Sequence, residues 1–150
     1  GGVQASKLLG LDNMARSQMA DRFVFDDNLA GNSWFPWQSF VTKTANYSVL
    51  ATDNFTLFDN TGAVAEVDFT LPAIANGLYF GFSTVADFTL KVISNEGANM
   101  VAFNNASATS VAFATGGAKV GGVFKVFSNA AGTKWIVTTD SAGSNTVTVA

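Results

Sequence analysis

The amino-acid sequence predicts an all-β fold: a single antiparallel β-sandwich, jelly-roll-like, with an N-terminal helical or extended arm. Short segments in which apolar and polar residues alternate recur about every eight to twelve residues, and turns rich in Asn, Asp and Gly separate them. The apolar spacing of an amphipathic helix is absent after residue 20. Because the composition changes near residue 44, we expect an N-terminal arm and attachment region over 1–44 and the sandwich over 45–150.

The arm contains one helix candidate, over residues 4–20. Its apolar stripe recurs at spacings of three and four residues and consists of Leu8, Leu11, Ala15 and Met19. A helix this short is marginal alone in water, so it needs a surface on which to lie. Two interpretations stay open: the helix packs on its own domain, or it docks on a neighbouring subunit.

A short strand is expected around Phe23 and Phe25, and an aromatic cluster follows it. Trp34-Phe35-Pro36-Trp37 places three large rings around one proline. Proline excludes a central strand, so this segment is expected to be a turn or a sheet edge. Such a cluster can close one end of a sandwich, form a subunit interface or stack on a sugar.

The clearest strand pattern lies in residues 63–71, where apolar residues such as Phe69 alternate with polar ones. One face of this strand should be buried and the other wet. Trp135 is expected to be a core ring whose N–H is satisfied at the edge of the core. The other predicted strands are 39–43, 47–51, 55–58, 78–82, 88–92, 100–103, 111–113, 123–127, 134–139 and 145–149.

Composition excludes several classes of chemistry. The chain has no His and no Cys, so it cannot build a Ser-His-Asp or Cys-His nucleophile, a His/Cys metal site or a disulfide. No cofactor is expected. No basic cluster indicates nucleic acid as a partner, and no apolar run approaches the ~18 residues that would indicate a membrane.

Charge is scarce for a freely soluble monomer. Charged residues make up 13% of the chain and hydrophobic residues 48%, with fourteen Phe and a net charge of -3. Large exposed apolar patches on proteins are usually interaction sites. We therefore expect part of the apolar surface to contact other subunits.

The acidic residues do not form a recognisable site. Glu66 and Asp68 point to the same face of one strand and are interpreted as a solvated stripe rather than as a catalytic acid–base pair. Asp53-Asn54 and Asp59-Asn60 are interpreted as turns rather than as calcium ligands, because no twelve-residue calcium loop is present. No catalytic or metal-binding residue is assigned.

Three stretches resemble the small β-sandwich domains of tailed-bacteriophage structural proteins, of the capsid decoration or head-fibre type. They cover most of residues 45–139 and comprise YSVLATD (47–53) with DNTGA (59–63), VDFTLPA (67–73) with GLYF (77–80), and GVFKV (122–126) with GTKWIV (132–137). The resemblance implies a non-enzymatic virion component, often trimeric. Residues 1–44 depart from the pattern, and this region would hold the attachment device.

A short chain with one sandwich and no fibrous repeat favours a capsid cement protein. We therefore expect a homotrimer on the capsid surface of a virion that bridges neighbouring subunits of the major capsid protein. Its interface residues are expected to be Leu8, Leu11, Met19, Phe23, Trp34, Phe35 and Trp37. The alternative is a tail-fibre or receptor-binding tip that contacts host-surface carbohydrate through Trp34 and Trp37.

Overall fold

A computed structural model describes residues 37–140 and 143–150, and these residues form a sandwich of two β-sheets. The strands are β1 (Ser39–Thr42), β2 (Tyr47–Ser48), β3 (Thr56–Asp59), β4 (Val67–Thr70), β5 (Tyr79–Ser83), β6 (Leu90–Ile93), β7 (Met100–Ala102), β8 (Asn105–Ala108), β9 (Ser110–Phe113), β10 (Val123–Ser128), β11 (Trp135–Thr139) and β12 (Thr148–Val149). One 3-10 turn, Ala51–Asp53, precedes β3. The seven-stranded sheet has the order β1-β3-β5-β10-β11-β7-β8, and the five-stranded sheet has the order β12-β9-β6-β4-β2.

The predicted all-β sandwich is confirmed, but its strand pairing is mixed rather than purely antiparallel. The first six strands alternate between the two sheets, so that β1, β3 and β5 pair in parallel, as do β2, β4 and β6. β11 also pairs in parallel with β7, whereas β10 is antiparallel to both β5 and β11. A parallel neighbour requires a crossover, and here a strand of the opposite sheet supplies it.

The sandwich begins earlier than the expected boundary at residue 45. β1 pairs with β3 in a register that places Val41 opposite Phe58, and the Lys43 N–H donates to the Asp59 carbonyl at 2.8 Å. Val41 also packs against the buried core. The change in composition near residue 44 therefore does not coincide with the start of the sheet. The predicted helix over 4–20 and the predicted strand around Phe23 lie outside the described residues.

The core between the sheets consists largely of aromatic rings. Phe58 and Phe82 of the seven-stranded sheet stack with centroids 5.7 Å apart, and Phe69 of the five-stranded sheet packs 5.4 Å from Phe58 and 5.0 Å from Phe82. A second stack joins Phe113 to Phe124 at 4.2 Å across the sheets. All five rings are fully buried. Each contributes about 1.5–3 kcal/mol through burial.

Trp135 occupies the core as predicted, but the expectation for its N–H is wrong. The side chain is completely buried and lies 6.1 Å from the Phe80 ring. Its Nε1 finds no acceptor among the described residues. The ring lies wholly inside the apolar cluster, so its nitrogen does not reach the polar edge where an acceptor was expected.

Candidate binding surfaces at the two ends of the sandwich

Among the predicted interface residues, Trp37 lies in the described part of the chain, on the outer face of the seven-stranded sheet. Its ring packs on Tyr79 with a centroid distance of 5.0 Å and covers Gly81. A Cβ atom at Gly81 would lie 2.5 Å from Trp37 Cη2, so this contact depends on glycine. The remaining predicted interface residues, Leu8, Leu11, Met19, Phe23, Trp34 and Phe35, lie outside the described residues.

Exposed apolar side chains concentrate at one end of the sandwich, where β3, β5 and β7 end and β10 begins. Within the described residues, five of the seven large apolar side chains that are exposed belong to this end, and the other two are Phe40 and Leu50. Val64 is the most exposed, at 82%. We call this end the apolar tip, formed by Val64, Val85, Phe88, Phe103 and Val120.

Asn60, in the loop after β3, hydrogen-bonds to the loop after β5 from the core side of the apolar tip. It is completely buried, its Oδ1 accepts the N–H groups of Val85 (2.7 Å) and Ala86 (2.9 Å), and its Nδ2 donates to the Ala86 carbonyl at 3.2 Å. Thr84 extends the connection, because its N–H donates to Gly122 and its carbonyl accepts from Gly121, both at 2.8 Å. Three of the loops that form the tip are therefore linked to one another by hydrogen bonds. The turn predicted at Asp59-Asn60 is present, but the sequence did not indicate this buried role of Asn60.

A neutral ion pair lies beside the apolar tip. Lys119 is nearly buried, and its Nζ lies 3.0 Å from Asp87 Oδ1. The two residues line a cavity of about 290 Å³ together with Val120 and Asn145. Asn145 Nδ2 donates to the Val120 carbonyl at 3.1 Å. The pair balances its own charge, and the Asp87 side chain is exposed at the border of the tip.

The opposite end carries a surface groove of about 450 Å³. Tyr79 is its central ring; Phe55 approaches at 6.2 Å and 72°, and Phe127 at 5.8 Å and 75°. We call this feature the aromatic groove, lined by Phe55, Asn76, Gly77, Leu78, Tyr79, Phe127 and Ser128. The three rings come from separate segments that strand pairing brings together, since Phe127 stands opposite Tyr79.

Asn54 fixes the shape of the aromatic groove. Its Oδ1 accepts the N–H groups of Tyr79 (2.7 Å) and Phe55 (3.1 Å), and its Nδ2 donates to the Gly77 carbonyl at 2.9 Å. Phe55 has a φ of +62°, in the left-handed region that bulky residues rarely adopt. Strained residues of this kind persist where the surroundings impose them, often at functional sites.

The carboxylates Glu66 and Asp68 lie on the outer face of the five-stranded sheet, as predicted. Lys91 stands opposite Asp68, and its Nζ is 3.5 Å from Glu66 Oε2. Burial and the neighbouring charge of Glu66 raise the pKa of Asp68, against the opposing effect of Lys91. Neither carboxylate lines the groove or the cavity beside Lys119. The arrangement is that of a charged sheet face rather than of an acid–base pair in a cleft.

We expect Asp68→Asn to stabilise the protein at neutral pH. Because the pKa of Asp68 is raised in the folded protein, ionisation of this carboxyl favours the unfolded state. The stability that the protonated carboxyl contributes is fully present below its ordinary pKa of 3.8 and is lost as the pH rises through the folded-state pKa. The gain should stay below about 1 kcal/mol and vanish in acid, where the native carboxyl is protonated. Urea unfolding of both proteins at neutral and acidic pH measures the difference. A gain that is equal at both pH values would contradict this explanation.

Within residues 37–140 and 143–150 no group of three or more acidic side chains is arranged to hold a metal. Over the same ranges, no helix has the length and apolar character needed to cross a bilayer.

No protein-family description, curated protein or solved structure matches this chain.

Proposed function

We propose that this chain is a non-enzymatic structural component of a virion, a homotrimeric capsid decoration protein that binds the major capsid protein at the capsid surface. The observation that supports it best is the apolar tip. Five large apolar side chains project from one end of the sandwich, in a chain of which only 13% of the residues are charged. A surface of this kind is costly to leave in water and is typical of an interaction site.

The tip suits attachment to a larger assembly. Its loops are held by the buried Asn60 and by the backbone pairs of Thr84, so little conformational freedom is lost on binding. Burial of apolar area contributes about 25 cal/mol per Å² before association costs. Copies that engage several capsid subunits together gain further through effective concentration. Residues 1–44 and the predicted interface residues belong to the same proposal as a second attachment region.

The double variant Val64→Glu/Val120→Glu tests the role of the tip. Both side chains are exposed, at 82% and 55%, so the fold should be kept. A carboxylate buried against an apolar partner loses its hydration, so we expect binding to heads to weaken at least about tenfold. Co-sedimentation with phage heads assembled without this protein measures the binding. The matched control is Leu50→Glu, at the opposite end, which should bind as the native chain does.

Native-like binding by the double variant would contradict the attachment role of the tip. The trimer is tested separately, by sedimentation velocity of the full chain. We expect a species with three times the 15.7 kDa mass of the chain. A monomer at all accessible concentrations would contradict the trimer and leave the test of the tip unaffected.

A further inference from the structure

We infer that the aromatic groove is a binding site for a neutral pyranose sugar. The site lies at the end of the sandwich opposite the apolar tip. Trp37 packs on its central ring, Tyr79, at 5.0 Å but does not itself line the groove. Four features support it: the converging rings, the polar groups beside them, the absence of ionised side chains in the lining, and the fixed backbone.

The rings offer the apolar part of a sugar site. Phe55, Tyr79 and Phe127 are all partly buried, so each keeps some surface available to a ligand. Phe55 and Phe127 pack edge-on against Tyr79, so the three rings form one continuous apolar surface in a shallow, open groove. A pyranose ring presents C–H groups on its faces, which pack against aromatic rings by dispersion and by burial of apolar area. A groove of about 450 Å³ falls in the range of small-ligand sites.

Polar groups at the rim match sugar hydroxyls, which both donate and accept hydrogen bonds. Ser128 Oγ accepts the Gly77 N–H at 3.1 Å, and its hydroxyl proton has no acceptor among the described residues. Asn76 Nδ2 donates to the Ala130 carbonyl at 3.0 Å, while no described residue donates to its Oδ1. The Tyr79 phenol adds a further donor and acceptor.

The charge of the lining selects the ligand class. No Asp, Glu, Lys or Arg is among the residues that line the groove. Lys125, opposite Gly81 on β10, is paired with Asp140 at 2.8 Å. A phosphate, carboxylate or ammonium group would lose hydration in this groove without gaining a counter-charge, so the site favours an uncharged ligand.

The backbone of the site is fixed before any ligand arrives. Asn54 bonds three backbone groups of the wall, those of Phe55, Gly77 and Tyr79, and Phe55 is held at positive φ, so the backbone that carries the rings need not be ordered on binding. Preorganisation of this kind improves affinity by lowering the entropic cost of association. Asn54 is thus a positioning residue, because it holds Tyr79 and Phe55 without lining the groove itself.

The experiment is a ¹H–¹⁵N chemical-shift titration of the full chain with methyl glucosides, galactosides and mannosides, each up to about 50 mM, a range suited to millimolar affinity. Sialyllactose, which is anionic, is the comparator. We expect saturable shifts for at least one neutral pyranoside, centred on Asn76–Tyr79 and Phe127–Ser128. Tyr79→Ala should weaken binding at least about tenfold, because it removes the central ring. Phe103→Ala, which removes an exposed ring at the apolar tip, is the matched control and should leave binding unchanged.

Asn76→Ala is a second variant for the same titration, in case Tyr79→Ala disturbs the fold. Asn76 is exposed, so this variant should fold and should weaken binding about threefold to tenfold through loss of one hydrogen bond. The inference is overturned if no neutral pyranoside gives saturable shifts, if sialyllactose alone binds, or if shifts persist unchanged in Asn76→Ala and Tyr79→Ala. None of these outcomes bears on attachment through the tip, which co-sedimentation tests.

Discussion

Replacing Asn60 by leucine is expected to lower the free energy of unfolding by about 3–5 kcal/mol. The side chain is completely buried and satisfies the N–H groups of Val85 and Ala86 and the carbonyl of Ala86. Leucine is of similar size but offers no hydrogen bond, so the partly buried N–H groups of Val85 and Ala86 would lose their acceptor, whereas the Ala86 carbonyl keeps the Phe88 N–H at 2.8 Å. Each buried unpaired group costs about 1–3 kcal/mol. Urea denaturation measures the change.

Asn129→Leu provides the matched control. Asn129 Oδ1 also accepts two backbone N–H groups, those of Thr133 (2.8 Å) and Lys134 (3.1 Å), but it does so in the exposed hairpin between β10 and β11. Water can replace these bonds, so we expect a loss of only about 1 kcal/mol. Equal losses in the two variants would show that burial of Asn60 is not what makes it important.

Trp135→Ala should be similarly severe, with a loss of about 3–5 kcal/mol, because it removes the largest fully buried side chain among the described residues and leaves a cavity. Trp135→Phe should behave differently. It removes part of the ring but also removes the Nε1 donor, which has no acceptor among the described residues. The loss of packing and the relief of an unpaired polar group oppose each other, so we expect a change within about 1 kcal/mol.

Thermal and urea unfolding of the two Trp135 variants separates these effects. A large loss in both would mean that the indole N–H is paired in solution, for example by a buried water. A large loss in Trp135→Ala alone supports the packing shown by the structure.

Local patterns were sufficient to predict most strands. In β4, Val67 and Phe69 are buried while Asp68 and Thr70 are only partly so, which is the alternation that the sequence displays. β8 was missed, because its Asn105-Ala106-Ser107 sequence has the composition of a turn. The turn lies instead at Phe103 and Asn104, which have positive φ angles and directly precede β8. Residue type alone does not distinguish a polar edge strand from a loop.

The parallel strand pairings and the surfaces at the two ends of the sandwich were harder to predict from the sequence. Alternation has the same period in parallel and antiparallel strands, so it could not reveal that β1, β3 and β5 run together. The aromatic groove combines residues that are distant in sequence. One signal was available: Tyr79 falls on the outer face of its predicted strand, where a polar residue is usual. Its partner Phe127 becomes evident only through the pairing of β5 with β10.

The proposed attachment through the apolar tip can be measured by hydrogen–deuterium exchange of the full chain, free and bound to phage heads. Attachment through the tip predicts added protection in residues 60–66, 84–89 and 117–122, with no change in residues 54–55 and 76–79 around the aromatic groove. Protection confined to the groove end, or no protection at the tip in a sample shown to be bound, would contradict the claim.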